Sequence, residues 1–150
     1  MSEAKIEIKR LPHAEGIDLP SYKSSDAAGM DIRAALDETV LLKPGERALI
    51  PTGLQFAIPR GYEIQVRPRS GLAIKHGITM LNSPGTIDAD YRGEVKLIAI
   101  NHGQHNFKIE RGERLAQLII APVVQMPVVE VDKLNETERG DGGFGSTGRG

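Results

Sequence analysis

Glycine- and proline-bearing turns cut this chain into pieces that suit short strands. The runs KIEIKRL, TVLLK, RALIPTG, LQFAIP, YEIQVRP, VKLIAIN, FKIE, RLAQLIIAPV and PVVEV are rich in β-branched residues, and KPGE (43–46), PRGY (59–62), YRGE (91–94), NHGQ (101–104) and ERGE (110–113) stand between them. In KPGE the pair Pro44 and Gly45 fits the middle positions of a type II turn, which need a fixed negative φ followed by a positive one. Tyr62, Ile64 and Val66 alternate with Glu63, Gln65 and Arg67, the period of a strand with one buried and one wet face. Many short strands of this kind predict an all-β sandwich, jelly roll or barrel. Only SGLAIKHG (70–77) reads as a helix, about two turns long, with Ser70 as its N-cap and Gly77 just past its end.

With 150 residues the chain can bury a core as one domain without metals or disulfides. The apolar periodicity stops near Asn135, which predicts a body over residues 1–134 and a flexible arm over 135–150. That arm ends in RGDGGFGSTGRG, half of it glycine. The chain has no cysteine, which removes disulfides, thiolate metal sites and a cysteine nucleophile. A net charge of −1 gives no reason to expect nucleic-acid binding. The apolar runs are too short to span a bilayer and no signal peptide is evident, so a cytoplasmic protein is expected.

Two segments suggest chemistry. In PRSGLA, a strand delivers Arg69 in front of the helix N-terminus, so a guanidinium, the Ser70 hydroxyl and free backbone N–H groups converge as an anion site would require. An exposed arginine before an ordinary helix start explains the same residues. In NSPGTIDADYRGE, Asp88 and Asp90 share a face if the segment is extended, and Asn82 and Tyr91 flank them with an amide and a ring, the groups a nucleobase and sugar pocket needs. A solvated acidic turn is the plainer alternative. Asp31, between Met30 and Ile32, faces away from both on a strand, and Gln117 is a polar residue in an apolar run. Either is compatible with an ordinary half-exposed strand.

Taken together and in order, AGMDIRAA, PRSGLA, GTIDADYRGE, RGERLAQLII and RGDGGFGSTG resemble the five motifs of the trimeric deoxyuridine triphosphatases (dUTPases), spread from Asp31 to Thr147. The resemblance implies a distorted jelly roll or β-clip type barrel with one short helix, assembled as a homotrimer with sites at subunit interfaces. It implies hydrolysis of dUTP to dUMP and pyrophosphate, with Mg²⁺ on the triphosphate. Asp88 matches the catalytic aspartate that activates water. Asn82, with Met80, Gly85, Thr86 and Ile87 of the surrounding hairpin, matches the uracil reader, and Tyr91 the ring under deoxyribose. Arg69, Ser70, Gly71 and Gln117 match phosphate contacts, and Asp31 an aspartate near the metal's waters. Arg139, Phe144, Gly145, Ser146 and Thr147 match the arm that closes over a neighbour's site.

Physical chemistry is consistent with these roles. A carboxylate is a weak base at neutral pH, so much of the barrier must fall through positioning and charge neutralisation. Rejecting thymine through one methyl is worth only about 1–3 kcal/mol in a soft pocket, so a rigid backbone wall is needed there. Glycines would let the arm approach phosphate oxygens while Phe144 stacks on the base. Two rivals keep the fold: a deoxycytidine triphosphate deaminase or bifunctional relative, and a nucleotide-binding regulator without turnover. An RGG-like disordered tail is the rival for the arm. His102 and His105 read as loop residues without a third ligand, His76 as a residue near the helix end, and His13 as part of a polar loop with no role assigned.

Overall fold

The computed structural model describes residues 3–148. Its strands are β1 (Glu7–Arg10), β2 (Gly29–Arg33), β3 (Val40–Leu42), β4 (Arg47–Ala57), β5 (Tyr62–Arg67), β6 (Ile78–Met80), β7 (Gly85–Ile87), β8 (Glu94–Asn101), β9 (Phe107–Ile109) and β10 (Arg114–Pro122). One α-helix, α1 (Ser70–His76), and one 3-10 turn (Pro12–Ala14) complete the described elements. Two antiparallel four-stranded sheets, ordered β1-β4-β8-β6 and β2-β10-β5-β7, are joined by a two-stranded β3-β9 sheet. The all-β class with a single short helix is as the sequence predicts, and the sheets pack as layers without closing into a barrel.

Alternation builds the core between the layers. Ile64 and Val66 of β5, Met30 and Ile32 of β2 and Leu118 of β10 are buried from one sheet, and Ile50, Phe56, Leu97 and Ala99 from the other. The KPGE turn forms as expected: Gly45 has φ 85° and Glu46 N–H donates to Lys43 O at 3.0 Å.

Three local expectations are corrected. RALIPTG and LQFAIP are one strand, β4, whose register against β8 shifts between Pro51 and Gln55. A bulge at Thr52 and Gly53 absorbs the apparent break: Gly53 has φ 67°, and a Cβ there would stand 2.4 Å from the Ala14 side chain. Ser70 is the first helical residue, with Arg69, extended at φ −98° and ψ 134°, in the cap position and no side-chain cap bond. PVVEV (127–131) forms no strand: none of the described strands pairs with it, and Val128 is 98% exposed. The arm's last residues, Arg149 and Gly150, and Met1 and Ser2 of the body lie outside the described residues.

Candidate active site

The segment from Asn82 to Glu94 builds a recess of about 480 Å³ against the outer side of β8; the hairpin expected around Asn82 does not form, because β6 pairs with β8 in one sheet and β7 with β5 in the other. Pairing of β7 with β5 places Gly85 opposite Val66 and Ile87 opposite Ile64, which buries both and turns Thr86 outward. A Cβ on Gly85 would stand 3.1 Å from Asn82 Nδ2, so the close seat of the amide relies on glycine. Asn82, Gly85, Thr86, Ile87, Asp88 and Tyr91 all line this recess. Met80 is buried in the core and does not, although its carbonyl accepts from the Ser83 hydroxyl and so ties the loop beneath Asn82.

Asp88 is exposed on the lip between this recess and a larger one of about 740 Å³, which it shares with Asp90, Arg60 and Arg92. The chain turns immediately after it, with Tyr91 N–H donating to Asp88 O at 3.1 Å. The extended geometry expected over 88–90 is therefore absent, and Asp90 faces only the larger recess of the two. Tyr91 Oη donates to Glu94 O at 2.8 Å, which commits the phenol to the backbone.

The second group forms on the other flank. Asp31 faces away from buried Met30 and Ile32, as alternation predicts, and lies opposite Gln117 of β10. Its carboxylate receives Arg69 Nε at 3.2 Å and Arg114 at 3.4 Å, while Arg69 also donates to Arg114 O at 3.1 Å. Gln117 Nε2 donates to Pro68 O at 3.0 Å, fixing the segment that carries Arg69. Ser70 and Gly71 open α1, whose first-turn N–H groups have no partner within the helix, and a side chain on Gly71 would meet only open space. Arginine, helix start and amide thus gather around one carboxylate. Beside Arg114, burial and Glu110's charge push the Glu113 carboxyl up, against a backbone hydrogen bond from Glu110 and the nearby His76.

The structure does not bring the two groups together. The recess beside β7 and β8 contains none of Asp31, Arg69, Ser70, Gly71 or Gln117. Thr86 and Asp31 sit on the two edge strands of one sheet, three strand spacings or about 14 Å apart, beyond the reach of a hydrogen bond. The arm joins neither: among the described residues its hydrogen bonds stay within the segment, as in Arg139 Nε to Gly142 O at 2.8 Å and Ser146 N–H to Gly143 O at 3.0 Å. Phe144 is fully exposed, with φ 52°, next to Gly145 at φ 84°, and Thr147 is exposed.

Sequence reasoning missed Arg114, Glu94 and His13. Arg114 lies in the quoted RGERLAQLII, where its position three residues before Gln117 was the available signal. His13, 81 residues from its partner, donates to Glu94 Oε2 at 2.8 Å, and Gly53 N–H donates to the same oxygen at 3.0 Å. Burial alone would raise the Glu94 carboxyl; those hydrogen bonds and the charges of His13 and Lys96 outweigh it and hold the group below its ordinary 4.5. His76 sits in the last turn of α1 against Phe107, and His102 and His105 are exposed loop residues, as expected.

Among the described residues no three acidic or histidine side chains converge as a metal cage. With Asp31 as the carboxylate inside the cationic group, the donor set fits a Mg²⁺ ion carried by a ligand's phosphates and met through water, the usual manner of magnesium–phosphate sites.

The dUTPase family model matches residues 15–148. The chain is 59% identical over 145 residues to the deoxyuridine 5'-triphosphate nucleotidohydrolase of Rhizobium meliloti (strain 1021), covering 95% of this chain and 91% of that relative. It is 58% identical over 149 residues to the enzyme of the same name from Brucella melitensis biotype 1, covering 98% and 95%. Its fold matches a mutant dUTPase of Staphylococcus bacteriophage 80alpha with dUpNHpp at TM-score 0.84 and 28% identity, over 97% of this chain and 99% of that one. A mutant dUTPase from Staphylococcus aureus phage phi11, described as coordinating a structural Mg(II) ion, matches at TM-score 0.77 and 26% identity, over 86% and 97%.

Proposed function

The chain belongs to the dUTPase family and is a dUTP diphosphatase, and from that premise we propose how its residues divide the reaction. Asp88 holds a water by accepting its hydrogen bond and takes a proton as the water oxygen attacks the α-phosphorus in line. The bond from that phosphorus to the bridging oxygen breaks, leaving dUMP and pyrophosphate. The observation that carries this reading is the recess beside β7 and β8, which sets an amide, a carboxylate and a tyrosine ring around one nucleoside-sized space. Asn82 matches the donor and acceptor pattern of uracil's edge, and the backbone from Gly85 to Ile87 supplies a wall where a 5-methyl would stand. Cytosine presents the reversed pattern and leaves buried partners unmatched. Tyr91 packs its ring under the sugar, and its hydroxyl proton is already committed to Glu94 O, so the phenol can donate no hydrogen bond to a ribose 2′-hydroxyl.

Arg69, Arg114, Gln117 and the N–H groups at Ser70 and Gly71 bind the triphosphate, while Asp31 orients both arginines and would be the residue that helps hold a phosphate-bound Mg²⁺ through water. That ion would neutralise phosphate charge as the transition state forms. Because Asp88 and Arg69 occupy separate flanks of one chain, each complete site takes them from two copies, and we place the chain in a homotrimer. Two further features support assembly: the unpaired PVVEV segment, and an arm whose Phe144 meets nothing in its own body. Residues 1–134 are then the catalytic body, and 135–150 an arm whose Arg139, Phe144, Gly145, Ser146 and Thr147 close over a site.

Pyrophosphate release from dUTP, dCTP, dTTP and UTP with Mg²⁺, beside an ammonia assay on dCTP, tests the reading. Release from dUTP alone is expected. Ammonia from dCTP would assign deaminase chemistry to the fold, and binding without turnover would assign a regulator.

A further inference from the structure

Tyr91 is held by a neighbour that has no side chain. A Cβ placed on Gly93 would stand 2.4 Å from Tyr91 Oη, 2.6 Å from Cζ and 2.9 Å from Cε1, all inside the closest approach of real atoms. The phenol therefore folds back over the bare face of Gly93 and reaches the carbonyl of Glu94, at 2.8 Å. Gly93 is not in the left-handed region, so this space, and not backbone conformation, is what requires glycine there.

Glu94 is fixed in turn by its own side chain. Its Oε2 accepts from His13 Nε2 and from Gly53 N–H, and the β4 bulge turns that N–H toward it. The bulge is itself pinned, with Thr52 Oγ1 donating to Val95 O at 2.5 Å and Leu11 N–H donating to Gly53 O at 2.8 Å. A continuous set of contacts thus runs from the 3-10 turn through Gly53 and Glu94 to the tyrosine ring on the recess wall.

We propose that Gly93 and Glu94 are positioning residues for Tyr91: Gly93 supplies the space for the ring, Glu94 supplies its anchor, and His13 with Gly53 braces Glu94, so that these residues together set the enzyme's preference for deoxyribose over ribose. The inference rests on the reading of Tyr91 as the ring under the sugar. A ring fixed in place leaves no room for a 2′-hydroxyl and donates no hydrogen bond to it; a displaced ring gives that hydroxyl access to water.

The test is the ratio of kcat/KM for dUTP to that for UTP, measured in Gly93→Ala, Glu94→Ala, Glu94→Gln, Tyr91→Ala and the double variant Gly93→Ala/Tyr91→Ala. A general loss of folded protein lowers both substrates alike and leaves the ratio unmoved. Gly93→Ala is expected to lower the ratio about tenfold, since pockets reject an added hydroxyl by no more than ~100-fold without a dedicated partner. The loss should show mainly as a rise in KM for dUTP together with better use of UTP. In the Tyr91→Ala background the alanine at 93 should have no further effect, because the ring through which it acts is gone. Glu94→Ala introduces no clash and should lower the ratio several-fold, with Glu94→Gln restoring most of it by keeping an oxygen for Gly53 N–H. If Tyr91→Ala lowers the ratio and Gly93→Ala leaves it at the wild-type value, or if the two effects simply multiply in the double variant, the inference is overturned while the reading of Tyr91 stands. An unchanged ratio in Tyr91→Ala would overturn that reading and the inference with it.

Discussion

Mixing two inactive variants can restore activity only if one site draws on two chains. Asp88 lies at the recess beside β7 and β8 and Arg69 in the Asp31 cluster on the other flank, and no described contact joins them within one chain. Asp88→Asn removes the proposed proton acceptor, which should cost on the order of 10²–10⁴ in rate. Arg69→Ala removes the charged donor proposed to bind the phosphates and should cost on the order of 10²–10³. Each variant alone should therefore retain about one per cent of activity or less. In an assembly formed at random from equal amounts, a site receives an intact Asp88 with probability one half and an intact Arg69 from its neighbour with probability one half. About a quarter of all sites are then complete, whatever the number of subunits in a closed ring. Co-expression of the two variants under different affinity tags, with tandem purification and pyrophosphate assay, measures this directly. Tandem purification discards assemblies of one variant only, so the recovered activity per site should lie somewhat above that quarter. A tandem-purified mixture no more active than its parents would show that Asp88 and Arg69 serve the same site within one chain, and the composite site would be wrong.

Thr52→Val keeps the shape of a side chain that is 1% exposed but strips the partners of Val95 O and Leu54 N–H. Two unsatisfied buried groups should cost about 2–4 kcal/mol and lower Tm by roughly 5–15 °C at fixed protein concentration; Thr52→Ser should recover most of it. Deleting residues 140–150 should leave the thermal melt unchanged, because that segment's described hydrogen bonds to the body are none, yet reduce dUTP turnover by about 100-fold or more. A truncated chain of normal activity would return the arm to the role of a simple tail. Glu94 is held below 4.5, so its contribution to stability is complete above 4.5 and is lost as the pH falls through its lower folded value. Wild type should consequently lose more Tm than Glu94→Gln on acidification below 4.5, and parallel curves would deny the carboxylate its role.

What could be read from the chain was what local alternation controls. The inward turn of Ile64 and Val66 on β5, the outward turn of Asp31 and the Pro44-Gly45 turn each depend on a residue and its immediate neighbours, and each stands as expected; Tyr62, at the start of the same β5 face, is exposed instead. The failures share a different physics. Gly53 reads as a strand breaker beside Pro51 until β8 is present to pair across the bulge, and only then does its N–H meet Glu94. His13 gains its partner through the same bulge, from 81 residues away, and no spacing rule joins a 3-10 turn to a strand it does not pair with. Ser70 has the composition of an N-cap, but Arg69 takes the extended cap position, and its guanidinium reaches Asp31 on β2, across β10, which local sequence does not reveal. The valines of PVVEV carry the same lesson at the largest scale. Their β-branched run reports correctly a segment that prefers extended backbone, but a strand exists only when a second edge accepts its hydrogen bonds. In a single chain no edge does, and Val128 and Val129 stand in solvent. The sequence carries the preference, and in the proposed assembly a second copy would supply the partner that satisfies it.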